Sequence, residues 1–319
     1  MNADKPTVII DKSVFQTICS EPDESQRNFF WKEISSRYEI VIPFILVEEV
    51  WINLAKPGAK NLAVVSEMAK TLSEMSSCWI DDEIEIVFRE LVQRKRLKIL
   101  PKPNQKNVES LRQLNPNDPV LSKFLDQRRQ IKERIIRERI QFQNSILPVG
   151  KFLTVKTRRE LFQGYVKPLF TQILSTTQGS KGILEKLLGW QFRNRRPNFK
   201  RRIEKAFLSY SQETFRQYPA TYYYLTTDMF YSYAPLCRLQ KNSKATPQKI
   251  IGRKLSEQRN NLEDQKYVVA ARMCKRLLTR DEGMSNMMRT IKECGLWNGE
   301  VIFLNPRQHL NAQIPNLLI

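Results

Sequence analysis

The stretch Thr7-Val-Ile-Ile-Asp11 decides the fold class, because it is a short apolar run that ends in an acid. Two further runs have the same form, Glu39-Ile-Val-Ile-Pro43 and Glu300-Val-Ile-Phe-Leu-Asn305, and Leu277-Leu-Thr279 is a shorter example. Their apolar residues are continuous and do not alternate with polar ones, which is typical of strands buried on both faces of a parallel sheet. The sequence therefore predicts an α/β fold with a central parallel sheet.

Helical patterns lie between these predicted strands. Pro43 is suited to the start of a helix, and Phe44 to Leu54 continues without a helix breaker. The segment from Asn61 to Met75 places its apolar residues on one helical face. Such helices would cover the sheet.

Charge is distributed very unevenly along the 319 residues. The formal net charge is +20, with −3 in residues 1–100, +19 in residues 101–250 and +4 in residues 251–319. A local excess of this size predicts a polyanionic partner, either nucleic acid or an anionic membrane. No stretch has the length and apolar character of a membrane span, and no signal sequence is evident, so we expect a soluble cytoplasmic protein that binds nucleic acid and not a membrane.

Cysteine and histidine usage excludes two common kinds of site. The five cysteines are widely spread and never form Cys-x-x-Cys, and His309 is the only histidine. A Cys/His zinc site and a histidine-based catalytic triad are therefore excluded.

The charge distribution also predicts the domain organisation. Residues 1–100 and 251–319 should form one discontinuous catalytic domain, and residues 101–250 a mostly α-helical, strongly basic insertion. Within the insertion we expect helices near 119–144, 157–176, 197–217 and 220–239, and the loop 241–247 leading back.

Two parts of the insertion are predicted to bind the phosphate backbone. One is the helix 119–144, and the other is a tract in which six cations surround Phe199. The alternative for each is an ordinary solvated surface. The predicted nucleic-acid-binding residues are Arg128, Arg129, Lys132, Arg193, Arg195, Arg196, Lys200, Arg201 and Arg202.

Four acids stand near the ends of the predicted elements. Asp11 and Asp281 each follow a strand, Glu48 lies one turn into an apolar helix, and Asp264 lies near the start of another helix. In open α/β sheets, ligands bind at the carboxyl ends of the strands. Taken singly, each acid is more often a cap or a strand-end residue, and the neighbouring acids at 49 and 282 are interpreted as solvent-facing groups that could exchange roles with Glu48 and Asp281.

Taken together, the four motifs resemble the PIN-domain family of metal-dependent nucleases. Asp11-Lys-Ser13 resembles the family's first motif and Glu48 its second. Asp264, with Tyr267 and Ala271, resembles the third, and Leu277-Leu-Thr-Arg-Asp281 resembles the fourth. The resemblance covers about residues 6–95 and 255–312 and implies a three-layer α/β/α fold. The chain departs from the family in its long insertion and in Gly283, where many members have a polar or acidic residue.

The resemblance implies a hydrolytic site that uses Mg²⁺ or Mn²⁺, which take oxygen ligands. Asp11, Asp264 and Asp281 would be metal ligands, Glu48 a further catalytic acid or base, and Ser13 and Thr279 supporting hydroxyls. The implied activity is that of an endoribonuclease. The alternatives are a structure-selective DNA nuclease and a PIN-like scaffold that binds nucleic acid without cutting it. A toxin of a toxin–antitoxin system, with an inhibitory partner protein, and a homo-oligomer are both compatible with the sequence.

Overall fold

A computed structural model describes residues 5–54, 62–75, 78–81, 86, 89–90, 119–146, 158–161, 163–164, 168, 197–198, 200–201, 205, 219–241 and 255–318. The strands are β1 (Thr7–Ile10), β2 (Glu39–Pro43), β3 (Cys78–Ile80), β4 (Arg276–Thr279) and β5 (Glu300–Phe303). The helices are α1 (Lys12–Cys19), α2 (Glu24–Arg37), α3 (Phe44–Leu54), α4 (Leu62–Glu74), α5 (Pro119–Ile146), α6 (Arg158–Leu161), α7 (Pro219–Lys241), α8 (Leu255–Arg272) and α9 (Glu282–Glu293), and a 3₁₀ helix covers Leu310–Leu318.

The described strands form one parallel sheet in the order β3-β2-β1-β4-β5. β1 is central, and its residues Val8, Ile9 and Ile10 have no solvent exposure, as expected for a strand covered on both faces. The prediction of an α/β fold with a central parallel sheet is confirmed. The four predicted strands are all present, with ends that differ by at most two residues.

The strand order creates a switch point beside β1. From β1 the chain builds β2 and β3 on one side of the sheet, and it later builds β4 and β5 on the other side. The strands to either side of a switch point lead into connections that diverge, which leaves a crevice at their carboxyl ends. The ends of β1 and β4 therefore define the place where this sheet is expected to bind a ligand.

The chain divides into two compact units. The first contains residues 1–81, 99–134 and 266–319, and the second contains residues 82–98 and 135–265. The sequence predicted a boundary near residue 100, whereas in the structure the first part of α5, Pro119 to Arg134, belongs to the sheet unit. Arg128 and Lys132, in this part of α5, form ion pairs with Glu48 of α3.

The described part of the second unit is helical and is held together by buried polar groups. The carboxylate of Glu90 accepts hydrogen bonds from the backbone N–H groups of Ala220 (3.1 Å) and Thr221 (2.7 Å), so it caps the start of α7. Arg139 of α5 donates to Asp228 of α7 at 2.8 Å. Burial raises the pKa of Glu90, and these N–H donors counteract the rise in part.

The strand β3 was not predicted. It is only three residues long, and Cys78-Trp-Ile80 is too short a run to distinguish a strand from a loop by pattern alone. Within the described residues, no helix has the length and apolarity needed to cross a membrane.

Candidate active site at the carboxyl edge of the sheet

Asp11 is buried at the end of β1 and is held by donors from three residues. Its Oδ1 accepts from the backbone N–H of Val14 (2.9 Å) and the hydroxyl of Ser13 (2.7 Å), and its Oδ2 accepts from the hydroxyl of Thr279 on β4. The bond to Val14 makes Asp11 the N-cap of α1. The carboxylate is thus fixed in orientation between β1 and β4.

Asp281 occupies the corresponding place after β4. Its Oδ1 accepts from the backbone N–H of Met284 at 2.7 Å, so it caps α9, and its own N–H donates to the Thr279 hydroxyl at 2.9 Å. Unlike Asp11, Asp281 is exposed to solvent, and none of the described residues donates to its Oδ2. The predicted supporting groups Ser13 and Thr279 therefore lie where the sequence placed them, beside these two acids.

The two aspartates form an anionic pair. Burial raises the pKa of Asp11, the donors Thr279, Val14 and Ser13 lower it in part, and the negative charge of Asp281 raises it again. Among the described residues, no cationic nitrogen lies within ion-pair distance of either carboxylate. Such a pair favours a bound proton or a cation.

Glu48 of α3 is in the opposite situation. It is fully buried and contacts Arg128 (2.8 Å), Lys132 (3.2 Å) and Lys266 (3.6 Å). Arg128 binds it in a bidentate manner, with Nε at 3.2 Å from Oε1 and Nη2 at 2.8 Å from Oε2. Burial alone would raise the pKa of Glu48, but the three cations outweigh burial and hold it well below its usual range. Glu48 is therefore an ionised carboxylate whose negative charge is balanced by the surrounding cations.

Glu49 was expected to face solvent, and this prediction is wrong. Glu49 is buried, its Oε1 lies 3.1 Å from Nζ of Lys12, and its Oε2 accepts from the Tyr267 hydroxyl at 2.7 Å. The helix α3 is buried over Ile45 to Val50, so both consecutive glutamates are enclosed and each has a positively charged partner. Glu282 is exposed, as predicted.

Gly283 follows the exposed acid by two residues, and the structure gives it a steric role. A Cβ at this position would lie 3.1 Å from Oδ1 of Asp281, closer than ordinary van der Waals contact. A side chain at 283 would crowd this carboxylate, so glycine preserves its present orientation.

Two more polar residues follow strands at the same edge of the sheet. Neither of them was among the site residues predicted from the sequence. Asp81 follows β3 directly, and Asn305 follows β5 by two residues. The signal for Asp81 was available, because Trp79-Ile80-Asp81 repeats on a smaller scale the apolar run followed by an acid that defines β1.

The third predicted acid, Asp264, was expected near the start of its helix, but α8 begins at Leu255, so Asp264 lies in the middle of the helix and is partly exposed. It belongs to the second unit, whereas Asp11, Glu48 and Asp281 belong to the first. Its role in a common site therefore stays a prediction.

The predicted nucleic-acid-binding residues fall into three groups. Arg128 and Lys132 point to Glu48, with exposed side-chain fractions of 15% and 11%, whereas Arg129 is 71% exposed and lies 3.7 Å from Glu133. Lys200 and Arg201 are helical, and Arg201 is exposed. The residues that lie outside the described part of the chain are Arg193, Arg195, Arg196 and Arg202.

The residues at this edge could hold Mg²⁺ or Mn²⁺ through two carboxylates. Within the described residues no group of three or more His, Cys, Asp or Glu side chains could hold a metal ion. Mg²⁺ is commonly bound through one or two carboxylates together with water and substrate phosphates. Asp11 and Asp281, as an anionic pair without a cationic partner in the described chain, suit that requirement, and Glu48 with its three cations does not.

The raised pKa of Asp11 gives a stability prediction. A carboxyl group whose pKa is raised by folding favours the folded state when protonated, and this contribution is lost as the pH rises above its unfolded value. Asp11→Asn keeps an oxygen for Ser13 and Val14 but carries no charge. We expect it to raise the unfolding free energy at pH 7, with a gain that shrinks as the pH falls towards 4. Denaturant unfolding across this pH range measures it, and Asp23→Asn, at the exposed N-cap of α2, is the matched control with little expected change. A loss of stability at pH 7 would contradict the prediction.

The same isosteric change at Glu48 should have the opposite sign. Glu48→Gln leaves Arg128, Lys132 and Lys266 without their buried counter-charge, and breaking such a group typically costs about 3 kcal/mol or more. Because folding lowers the pKa of Glu48, its contribution is present above the unfolded value and is lost as the pH falls. We therefore expect a large destabilisation at pH 7 that diminishes in acid, measured in the same unfolding series. A Glu48→Gln protein as stable as wild type at pH 7 would show that the cations do not depend on this carboxylate.

Comparison with known proteins adds no family assignment. No protein-family model matches the chain, and no curated protein and no solved structure gives a significant match.

Proposed function

We propose that the chain is a metal-dependent nuclease of the PIN type, with its reacting centre at Asp11 and Asp281. The observation that carries the proposal is the position of this anionic pair at the switch point of the parallel sheet, without an ion-pair partner in the described chain. The sequence motifs that resemble the PIN family contain the same two residues and their supporting hydroxyls. An endoribonuclease is the form of the proposal that follows the resemblance, and a DNA nuclease is the nearest alternative.

In the proposed reaction the metal would be held by Asp11 and Asp281. When bound, it lowers the pKa of a water molecule and neutralises charge on the phosphate. Asp11 is already oriented by Ser13, Val14 and Thr279, so binding requires little rearrangement of this side chain. Asp281 is exposed and none of the described residues donates to its Oδ2, so this oxygen would be available to the metal. Thr279 couples the two acids, because its hydroxyl donates to one and accepts from the N–H of the other.

The basic region supplies the second part of the proposal. Residues 101–250 carry a formal charge of +19, and release of counterions from the phosphate backbone would favour binding of nucleic acid to this region. Glu48 has a positioning role in this proposal, since its carboxylate binds Arg128 and Lys132 and so holds this part of α5 against α3. The roles of Asp264 as a ligand and of Glu48 as an acid or base rest on the resemblance alone.

A second candidate is a PIN-like scaffold that binds nucleic acid without cutting it. The neutralisation of Glu48 favours this candidate, because a carboxylate held by three cations is not available to a metal or a proton. The unneutralised pair Asp11 and Asp281 favours the nuclease.

Cleavage of end-labelled single-stranded RNA and DNA separates these candidates. We expect the purified protein to cut RNA with Mn²⁺ or Mg²⁺ and to be inactive with EDTA. Asp11→Asn and Asp281→Asn should each lower the rate by about 100-fold or more, because each removes one of two proposed ligands. Asp23→Asn, which changes a helix cap outside the site, is the control and should cut as wild type does.

Three outcomes would change the assignment. Cleavage of DNA alone would replace the ribonuclease by the DNA nuclease. Binding without cleavage of either substrate would favour the scaffold. Unchanged cleavage by the purified Asp11→Asn/Asp281→Asn double variant would place the chemistry elsewhere.

A further inference from the structure

Lys12 belongs to the same edge of the sheet as Asp11. It is the first residue of α1, immediately after Asp11, and therefore stands at the carboxyl edge of the central strand. Its side chain is 33% exposed, more than the side chains of Arg128, Lys132 and Lys266 around Glu48, whose exposed fractions are 8–15%. Lys12 thus carries a partly exposed ammonium group at the same sheet edge as the proposed reacting centre.

The ammonium group of Lys12 is held in place by buried residues. Its Nζ lies 3.1 Å from Oε1 of Glu49, and the other carboxylate oxygen of Glu49 accepts from the Tyr267 hydroxyl at 2.7 Å. Glu49 and Tyr267 have exposed fractions of only 7% and 3%. A lysine on the surface normally samples many rotamers, so an anchor of this kind reduces the entropy lost when the ammonium binds a ligand.

The ammonium group keeps capacity for a ligand. A lysine ammonium has three N–H donors, and among the described residues Glu49 is the one acceptor that Lys12 contacts. A phosphodiester that approaches Asp11 and Asp281 meets two negative charges, and a fixed cation beside them offsets this repulsion. A phosphate oxygen carries the negative charge that the remaining N–H donors of Lys12 can bind at this edge of the sheet.

We propose that Lys12 binds a phosphate oxygen of the nucleic-acid substrate beside Asp11 and Asp281, with Glu49 and Tyr267 as the residues that position its ammonium group. The inference rests on the proposed function, because it deepens the recognition of substrate at the same site. It differs from a purely structural role for the Lys12–Glu49 ion pair, which would only fasten α1 to α3 and would make no contact with a ligand.

Binding measured without metal tests this inference separately from catalysis. The probe is a fluorescently labelled single-stranded oligonucleotide, as RNA and as DNA, titrated by anisotropy in EDTA over a series of salt concentrations. Loss of one phosphate contact should reduce the slope of log K against log salt by about 0.7 for a single strand. We expect this reduction, with weaker binding, for Lys12→Met, and a slope near wild type for Lys12→Arg. Lys32→Met removes the same charge from an exposed position on α2 and should leave the slope unchanged.

The positioning role has its own variant. Tyr267→Phe keeps the charge of Lys12 but removes the hydrogen bond to Glu49. It should weaken oligonucleotide binding less than Lys12→Met, and a merely structural tyrosine would lower stability without changing affinity.

A footprint on the wild-type chain keeps the inference testable if Lys12→Met does not fold. Saturating oligonucleotide should slow acetylation of Lys12 and leave that of Lys32 unchanged, as measured by mass spectrometry. A salt slope for folded Lys12→Met equal to wild type, or acetylation of Lys12 that the oligonucleotide does not slow, would overturn the inference and leave the proposed nuclease standing. A wild-type protein that binds neither RNA nor DNA would overturn both.

Discussion

The hydrogen bond from the Thr279 hydroxyl to the Asp11 carboxylate is the contact on which the organisation of the site depends. It joins the ends of β1 and β4, two strands that are adjacent in the sheet but separated by more than half the chain. The same hydroxyl accepts the backbone N–H of Asp281, so one side chain fixes the places of both acids. Because Asp11 also caps α1 and Asp281 caps α9, each acid is held by the helix that follows its strand. The two carboxylates that cap these helices are therefore the same two that we propose as the reacting centre, and each caps its helix through Oδ1.

The carboxyl edge separates charges into two environments. Glu48 and Glu49 of α3 are buried and have cationic partners, whose charges offset the cost of taking these carboxylates out of water. Asp11 and Asp281 have polar donors and each other, and no cationic nitrogen of the described residues lies within ion-pair distance of them, although the Arg280 guanidinium interacts with Asp11 at longer range. Carboxylates are paired with cations in one place and not in the other, which is why we propose the aspartates as the place where a cation binds. A polyanionic substrate would then need positive charge nearby, and Lys12 is the exposed cation that α1 supplies.

The sequence predicted the sheet well because its strands are buried on both faces. A short, continuous apolar run such as Val8-Ile9-Ile10 identifies a strand of this kind, and the acids that follow such runs mark the carboxyl edge of the sheet. The sequence could not predict the environment of Glu48 and Glu49, because it is created by Arg128, Lys132, Lys266 and Tyr267, which are distant in sequence. Consecutive residues of a helix lie on different faces, so the helical pattern alone does not show that residues 48 and 49 are both buried. Tertiary packing buries both of these faces. The strand β3 and the acid after it were missed for a simpler reason, since three residues do not establish a period.

Asp11 is a buried acid without an ion-pair partner in the described chain, whereas Glu48 is held by three cations. Titration of the side-chain carboxyl ¹³C resonances by NMR, with and without Mg²⁺, distinguishes the two environments. We expect that Asp11 titrates above the ordinary range of an aspartate, that Mg²⁺ lowers its apparent pKa, and that Glu48 remains ionised to lower pH with no response to Mg²⁺. An Asp11 carboxyl that titrates at or below its ordinary value and does not respond to Mg²⁺ would contradict this expectation.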